Sequence, residues 1–224
     1  MGPVGELLLF EGRGCTRVGR ISALPVPGRN RARREPWRMA AAALFMLGET
    51  TVAMRLRSTP AAALLTALQC GLDCRFTSSV GCLVDAAAGL LGVDSPAVLQ
   101  SLAKRHGPEQ PLPWGYCVSP EGELDFLPLL EDLAAVEDVE LGAALLFATL
   151  AEGLAQWIVR ASTAHDVRRA ALWGDCFGGR ILAQELRSRL DRAGVETFVT
   201  SDHASVALAR IGLASRAIVE ASPT

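Results

Sequence analysis

The sequence predicts an α/β fold with a large helical insertion. Three observations carry this reading. Apolar, strand-like runs open the chain, a long middle is built of capped Ala- and Leu-rich helical segments, and the end alternates apolar run, Gly-rich turn, amphipathic helix and short strand. The 224 residues suffice for one large domain with a real core. We read residues 1–224 as a single lobe with strands at 5–24, a helical insertion at 36–163 and an α/β end at 170–219.

The front reads as a hairpin, GELLLFEG (5–12) and CTRVGRISAL (15–24) around Arg13-Gly14. PVPGRNRARRE (25–35) has no apolar period and reads as a loop. Pro36 suits a helix start and Gly48 a stop. Thr59-Pro60 opens a second helix ending near Gly71. Thr77 or Ser78 can cap a third running to Gly92, and Ser95-Pro96 opens a fourth running to Gly107. Residues 107–122 read as a loop, and Leu124–Leu133 and Val139–Ala161 as helices. AALWGDCF (170–177) is an apolar run ending at a turn. Residues 178–194 carry Ile181, Leu182, Leu186 and Leu190 on one stripe. Residues 196–201 read as a strand and 204–219 as a closing helix, an order that suits a parallel strand pair in a mixed sheet.

Composition excludes some functions. Half the residues are hydrophobic and the net charge is −2, so neither disorder nor a general attraction to nucleic acid is expected. Arg outnumbers Lys 21 to 1, which we read as a coding bias of the source genome. Leu141–Val159 is apolar, but Glu152 and Gln156 interrupt it, so a buried helix is expected and no membrane span. The N-terminus has no basic start and a four-residue apolar run, so no secretory segment is expected. The six cysteines are then expected to be reduced thiols of a cytoplasmic protein. Cys70 and Cys74 lack a second pair or a nearby His, so small buried residues are the simpler reading than zinc.

Four constellations can carry chemistry. WGDCFGGR (173–180) lies between a strand and a helix, where backbone N–H groups can face a phosphate. Its spacing fits neither G-x-G-x-x-G nor a P-loop, Asp175 would repel an anion, and a plain tight turn is the simpler reading. Asp85 lies two turns after Thr77 on an apolar helix; it can hydrogen-bond a ribose or face solvent. Ser201-Asp202-His203 can hold a metal, or simply cap a helix, which asks less. Arg29, Arg31, Arg33, Arg34 and Arg38 can meet phosphates, but without interleaved aromatics a solvated loop is favoured.

The order of these motifs resembles one family. REPWRM (34–39), FTSSVGCLVDAAAGLLG (76–92) and GDCFGGRILAQEL (174–186) are similar to the C-terminal lobe of the hydrogenase-maturation carbamoyltransferase family, HypF, over roughly residues 5–215. The resemblance implies one lobe of an actin/Hsp70-like (ASKHA, RNase H-like) ATPase fold in a cytoplasmic protein. It implies the transfer of a carbamoyl group from carbamoyl-adenylate, made with ATP, to a cysteine of a HypE-like acceptor, for the cyanide ligands of [NiFe]-hydrogenase. By position, Gly81 and Asp85 would face the nucleoside, Gly174, Asp175 and Phe177 the phosphates, and Asp202 would be one ligand of a divalent metal. The sequence also departs from the family. Gly178-Gly179 replace Gln-Asn, Asp175 stands in a Ser-Gly-Gly turn, Cys82 replaces an Arg, and His203-Ala204 replace Gly-Gly. The resemblance reaches neither the family's first lobe nor its other modules. The expectation is therefore a lobe completed by another chain, or by a second copy in a homodimer. The alternative is an inactive scaffold module.

Overall fold

The computed structural model describes residues 5–11, 14–28, 31–32, 34–48, 60–72, 74–178, 180–200 and 217–222. Strands β1 (Glu6–Glu11) and β2 (Gly14–Ile21) form the expected antiparallel hairpin. Glu11 pairs with Gly14, so Gly14, read from the sequence as part of the turn, belongs to β2. In β1, Leu7 and Leu9 are buried while their neighbours are less so, the period-2 signature of a sheet covered on one face.

The next element corrects the expectation. Leu24–Pro27, read as strand end and loop, is a separate strand, β3. It pairs antiparallel with β4 (Cys74–Thr77), so Thr77, a candidate helix cap, is a strand residue. Pro25 and Pro27 lack an N–H, yet they face Phe76 and Cys74 at positions where a ladder needs no donor from them.

Helices α1 (Trp37–Met46), α2 (Pro60–Gln69), α3 (Val80–Leu90) and α4 (Pro96–His106) follow in the predicted order. The cap of α3 is Ser79, one residue beyond the candidates Thr77 and Ser78. The short strand β5 (Cys117–Val118) interrupts the expected loop, and β6 (Glu123–Asp125) takes the place of the expected helix start. Helix α5 therefore begins at Leu127, not Leu124 (Leu127–Ala135), and α6 spans Val139–Ala164. The apolar window of α6 is 78% buried inside the fold, as a core helix should be. Trp157 of α6 is 2% exposed, and its Nε1–H donates to the Gly122 carbonyl at 2.9 Å.

β7 (Arg169–Gly174) leads through a 3-10 turn (Asp175–Gly178) into α7 (Arg180–Arg192), and β8 (Glu196–Thr200) returns parallel to β7. Residues 204–216 of the expected closing helix lie outside the described residues. Residues 217–219, its predicted end, belong to strand β9 (Ala217–Ser222). β9 lies between β1 and β7, antiparallel to the first and parallel to the second. Among the described residues the main sheet runs β5-β6-β2-β1-β9-β7-β8.

Two features hold the layers together. Gly89 of α3 sits against α1: a Cβ there would lie 2.3 Å from the Pro36 carbonyl oxygen. Arg189 of α7 is largely buried and pairs with Glu152 of α6 at 2.8 Å and with Glu185 on its own helix. At the sheet, Arg20 reaches Glu123 at 2.7 Å and the Ser22 hydroxyl donates to the same carboxylate. These hydrogen bonds, Arg20 first, hold Glu123 below the ordinary carboxylate range, and Arg38 does the same for Glu35.

Gly89→Ala should destabilise the protein by about 1–3 kcal/mol, although alanine is the better helix former, because the added methyl overpacks the α1–α3 contact. Urea unfolding checks this, and a neutral or stabilising result would remove the close contact from the account. A second expectation concerns acid. Both glutamates have lowered folded pKa values, so their contribution is full above about pH 4.3, the ordinary glutamate value, and fades as pH falls through the lowered values. The Glu35→Gln/Glu123→Gln double variant should therefore lose less stability than wild type between about pH 5 and pH 3, the range around that value, in the same assay.

Candidate functional site

The two segments singled out from the sequence, residues 77–89 and 173–180, meet in space. Helix α3 packs against the 3-10 turn that follows β7. The local sequence explains each half. Ser79 is extended and its Oγ accepts from the Gly81 N–H at 3.2 Å, while the Ser79 N–H reaches Thr77 Oγ1 at 3.3 Å. A Cβ on Gly81 would lie 3.3 Å from the capping oxygen, so glycine leaves the cap unhindered. Four residues on, Asp85 is 9% exposed on an otherwise apolar helix. The solvent-facing alternative is thus removed. A buried carboxylate needs a partner, and Asp85 is not without one.

The second half is set by backbone geometry and by the core. Gly174 ends β7 at φ 131°, a region closed to residues with a Cβ. The chain can then swing from strand into turn. Phe177, two residues beyond the acidic position, is 4% exposed and belongs to the main core. It pins the turn to the body of the domain. Cys176 and Cys82, one from each half, are partly buried and pack against the same core. Asp175 occupies the first position of the turn. Asp202 and His203 lie outside the described residues, so the proposed metal ligand is not among the residues brought together here.

Of the predicted site residues, then, Gly81, Asp85, Gly174, Asp175 and Phe177 belong to two contiguous elements. A strand end, a tight turn and a capped helix start are a backbone arrangement that can offer N–H groups to an anion, with a carboxylate nearby for a polar neutral group. Sequence reading missed Ser79 as the cap, although the run Thr77-Ser78-Ser79 offered three candidates one residue apart. It also missed Gly5. A Cβ at Gly5 would lie 1.8 Å from the Ser78 carbonyl oxygen, so the start of β1 sits directly on the α3 entry.

Gly174→Ala should cost about 1–3 kcal/mol of stability through strain at positive φ. Gly81→Ala should cost clearly less, because its Cβ meets only the movable Ser79 Oγ. Thermal unfolding of the two variants side by side tests the ranking, and equal effects would contradict it.

Comparison with known proteins gives this geometry a lineage. The family model described as "Carbamoyltransferase, Kae1-like Domain, second subdomain" matches residues 4–206. Carbamoyltransferase HypF2 of Cupriavidus necator is 36% identical over 85% of this chain, which covers 28% of that protein. A carbamoyltransferase HypF homolog of the same organism is 34% identical over 95% of the chain, and 60% of that protein is covered. Among solved structures, a full-length HypF in a phosphate- and nucleotide-bound form aligns with a TM-score of 0.74 at 20% identity, over 88% of this chain and 28% of that one. T. kodakarensis HypF aligns at 0.73 and 22%, over 94% and 31%. The fold is thus the ASKHA-type lobe with a helical insertion that the motifs implied. The chain spans about a third or less of most of these relatives. A match from residue 4 to residue 206 places this chain in the HypF carbamoyltransferase family, where it corresponds to the second subdomain of the Kae1-like domain.

Proposed function

We propose that this chain, residues 1–224, acts as one lobe of a carbamoyltransferase of [NiFe]-hydrogenase maturation, completed by modules supplied from another chain. The observation that carries the reading is the packing of α3 on the Asp175–Gly178 turn, which brings together the two segments that this reading assigns to the nucleoside and the phosphates. In this reading ATP or carbamoyl-adenylate lies with its ribose toward Gly81 and Asp85 and its phosphates toward the backbone after Gly174. A divalent metal at Asp202 would offset phosphate charge. The bound nucleotide supplies the activated carbamoyl group, and a cysteine of a HypE-like acceptor receives it. The setting is the cytoplasm. A site formed between lobes excludes water only when both are present, so transfer by this chain alone is not expected. Exposed apolar side chains, led by Phe76 at 67%, Trp114 at 64% and Leu72 at 63%, are places where a completing chain or a second copy can pack.

A second reading is an inactive scaffold that holds a maturation partner. It is favoured by Asp175, Gly178 and Gly179, which put a carboxylate into the phosphate turn and remove the family's polar pair.

Calorimetry with ATP, with and without magnesium, separates the two. The transferase reading expects magnesium-dependent binding and restored carbamoyl transfer when the chain is mixed with a protein carrying the first lobe. Absence of ATP binding, alone or in that mixture, would leave the scaffold.

A further inference from the structure

A second site lies on the far side of the sheet from the turn after β7. β5 and β7 are five strand spacings apart in the sheet order, about 24 Å. Along β5 runs a cavity of about 580 Å³, within the range of small-molecule sites. Pro111, Pro113 and the Tyr116 ring form an apolar wall, and the floor is one stripe of α6: Glu152, Gln156 and Arg160, each four residues apart.

The register of β5 fixes what it offers to this cavity. The Ser119 N–H donates to the Glu123 carbonyl, so 119 and 123 are a hydrogen-bonded pair. Val118 and Leu124, one step away, are then a non-hydrogen-bonded pair, and the Val118 N–H and C=O point away from β6 toward the outer edge. The Val118 carbonyl confirms this by accepting from the Arg160 guanidinium at 3.3 Å. The edge N–H and the guanidinium thus sit side by side. Among the described residues no carboxylate pairs with Arg160. The other charge in the cavity is already matched: Glu152 is held by Arg189 and accepts from the Gln156 amide. Burial, and then the Glu152 charge, raise the Tyr116 pKa, so the wall stays uncharged.

We propose that this cavity binds a small organic monocarboxylate, its carboxylate between the Val118 N–H and the Arg160 guanidinium and its apolar body against Pro111, Pro113 and Tyr116. A planar monoanion suits one N–H and one guanidinium fork. A phosphate dianion would bring a second negative charge and a tetrahedral head that this single guanidinium and single N–H do not match. The site is independent of the nucleotide reading and stands or falls without it.

The test uses the full chain and 3-phenylpropionate, with 3-phenylpropionamide and inorganic phosphate as contrasts, by calorimetry at constant ionic strength. Saturable binding of the carboxylate at millimolar concentration is expected, with none of the amide or phosphate. Arg160→Ala should weaken binding about tenfold or more. Val118→Pro should do so as well, because proline is tolerated at an edge position whose N–H points outward. Circular dichroism confirms that each variant is folded. No saturable binding by wild type, equal binding of the amide, stronger binding of phosphate, or an Arg160→Ala variant that binds like wild type would each overturn the proposal.

Discussion

The whole sheet depends on one strand. Ala217–Ser222 hydrogen-bonds to β1 on one side and to β7 on the other. Without it, the front hairpin and the parallel pair at the end of the chain would be separate pieces, each with an open edge. The candidate site inherits this dependence. Gly174 is the last residue of β7 and pairs with Ser222, so the turn that follows is held in place by almost the last residues of the described chain. The β1–β9 ladder, from Glu6 with Ala221 to Phe10 with Ala217, joins elements at opposite ends of the sequence. Folding is then expected to be governed by non-local pairing, despite the helical content.

Helix α3 is the second fixed point, because three neighbours constrain it at once. Gly5 abuts its entry, Pro36 and Ala40 abut Gly89, and the turn after β7 packs along it. At the first two of these a methyl group would collide, so the helix has little room to shift. That rigidity is what a buried carboxylate requires. Asp85 is tolerated at 9% exposure only if its surroundings keep its partner in register. The same rigidity gives a ligand a preformed wall and not one ordered on binding.

What the sequence revealed and what it concealed divide along physical lines. Helices announced themselves through caps and stops. Pro60, Ser95-Pro96 and Gly107 stand where expected, and α7 carries its apolar stripe on the predicted residues. Strands were harder to read where pairing, not pattern, decides. Leu24–Pro27 contains two prolines and looks like a loop until its partner Cys74–Thr77 is known. Residues 217–219 read as the end of a helix because they continue the Ala-rich run from Ala204, and two-sided ladder pairing overrides that local tendency. The site followed the same rule. Its residues were legible as motifs with a family order, but the contact between residues 77–89 and the turn is tertiary and has no local signal. The second cavity left a faint trace, the polar pair Glu152 and Gln156 on an apolar helix, read from the sequence only as an argument against a membrane span.

At the turn itself, the needs of the fold and the needs of a ligand fall on different residues. Gly174 provides the backbone conformation and Phe177 the anchoring in the core. Neither depends on what stands at position 175. Under the proposed function, a carboxylate at this position therefore bears on the ligand and not on the fold. A carboxylate near a phosphate is repelled by several kcal/mol at low effective dielectric, and by much less when a divalent cation has neutralised part of the charge. An active lobe with Asp175 would accordingly accept a magnesium-complexed nucleotide and discriminate against the free triphosphate more sharply than a lobe with the family's Ser-Gly-Gly turn. The same substitution in a scaffold would have no such constraint to satisfy. The magnesium dependence of nucleotide binding is thus the property in which the chemistry of this one side chain becomes visible.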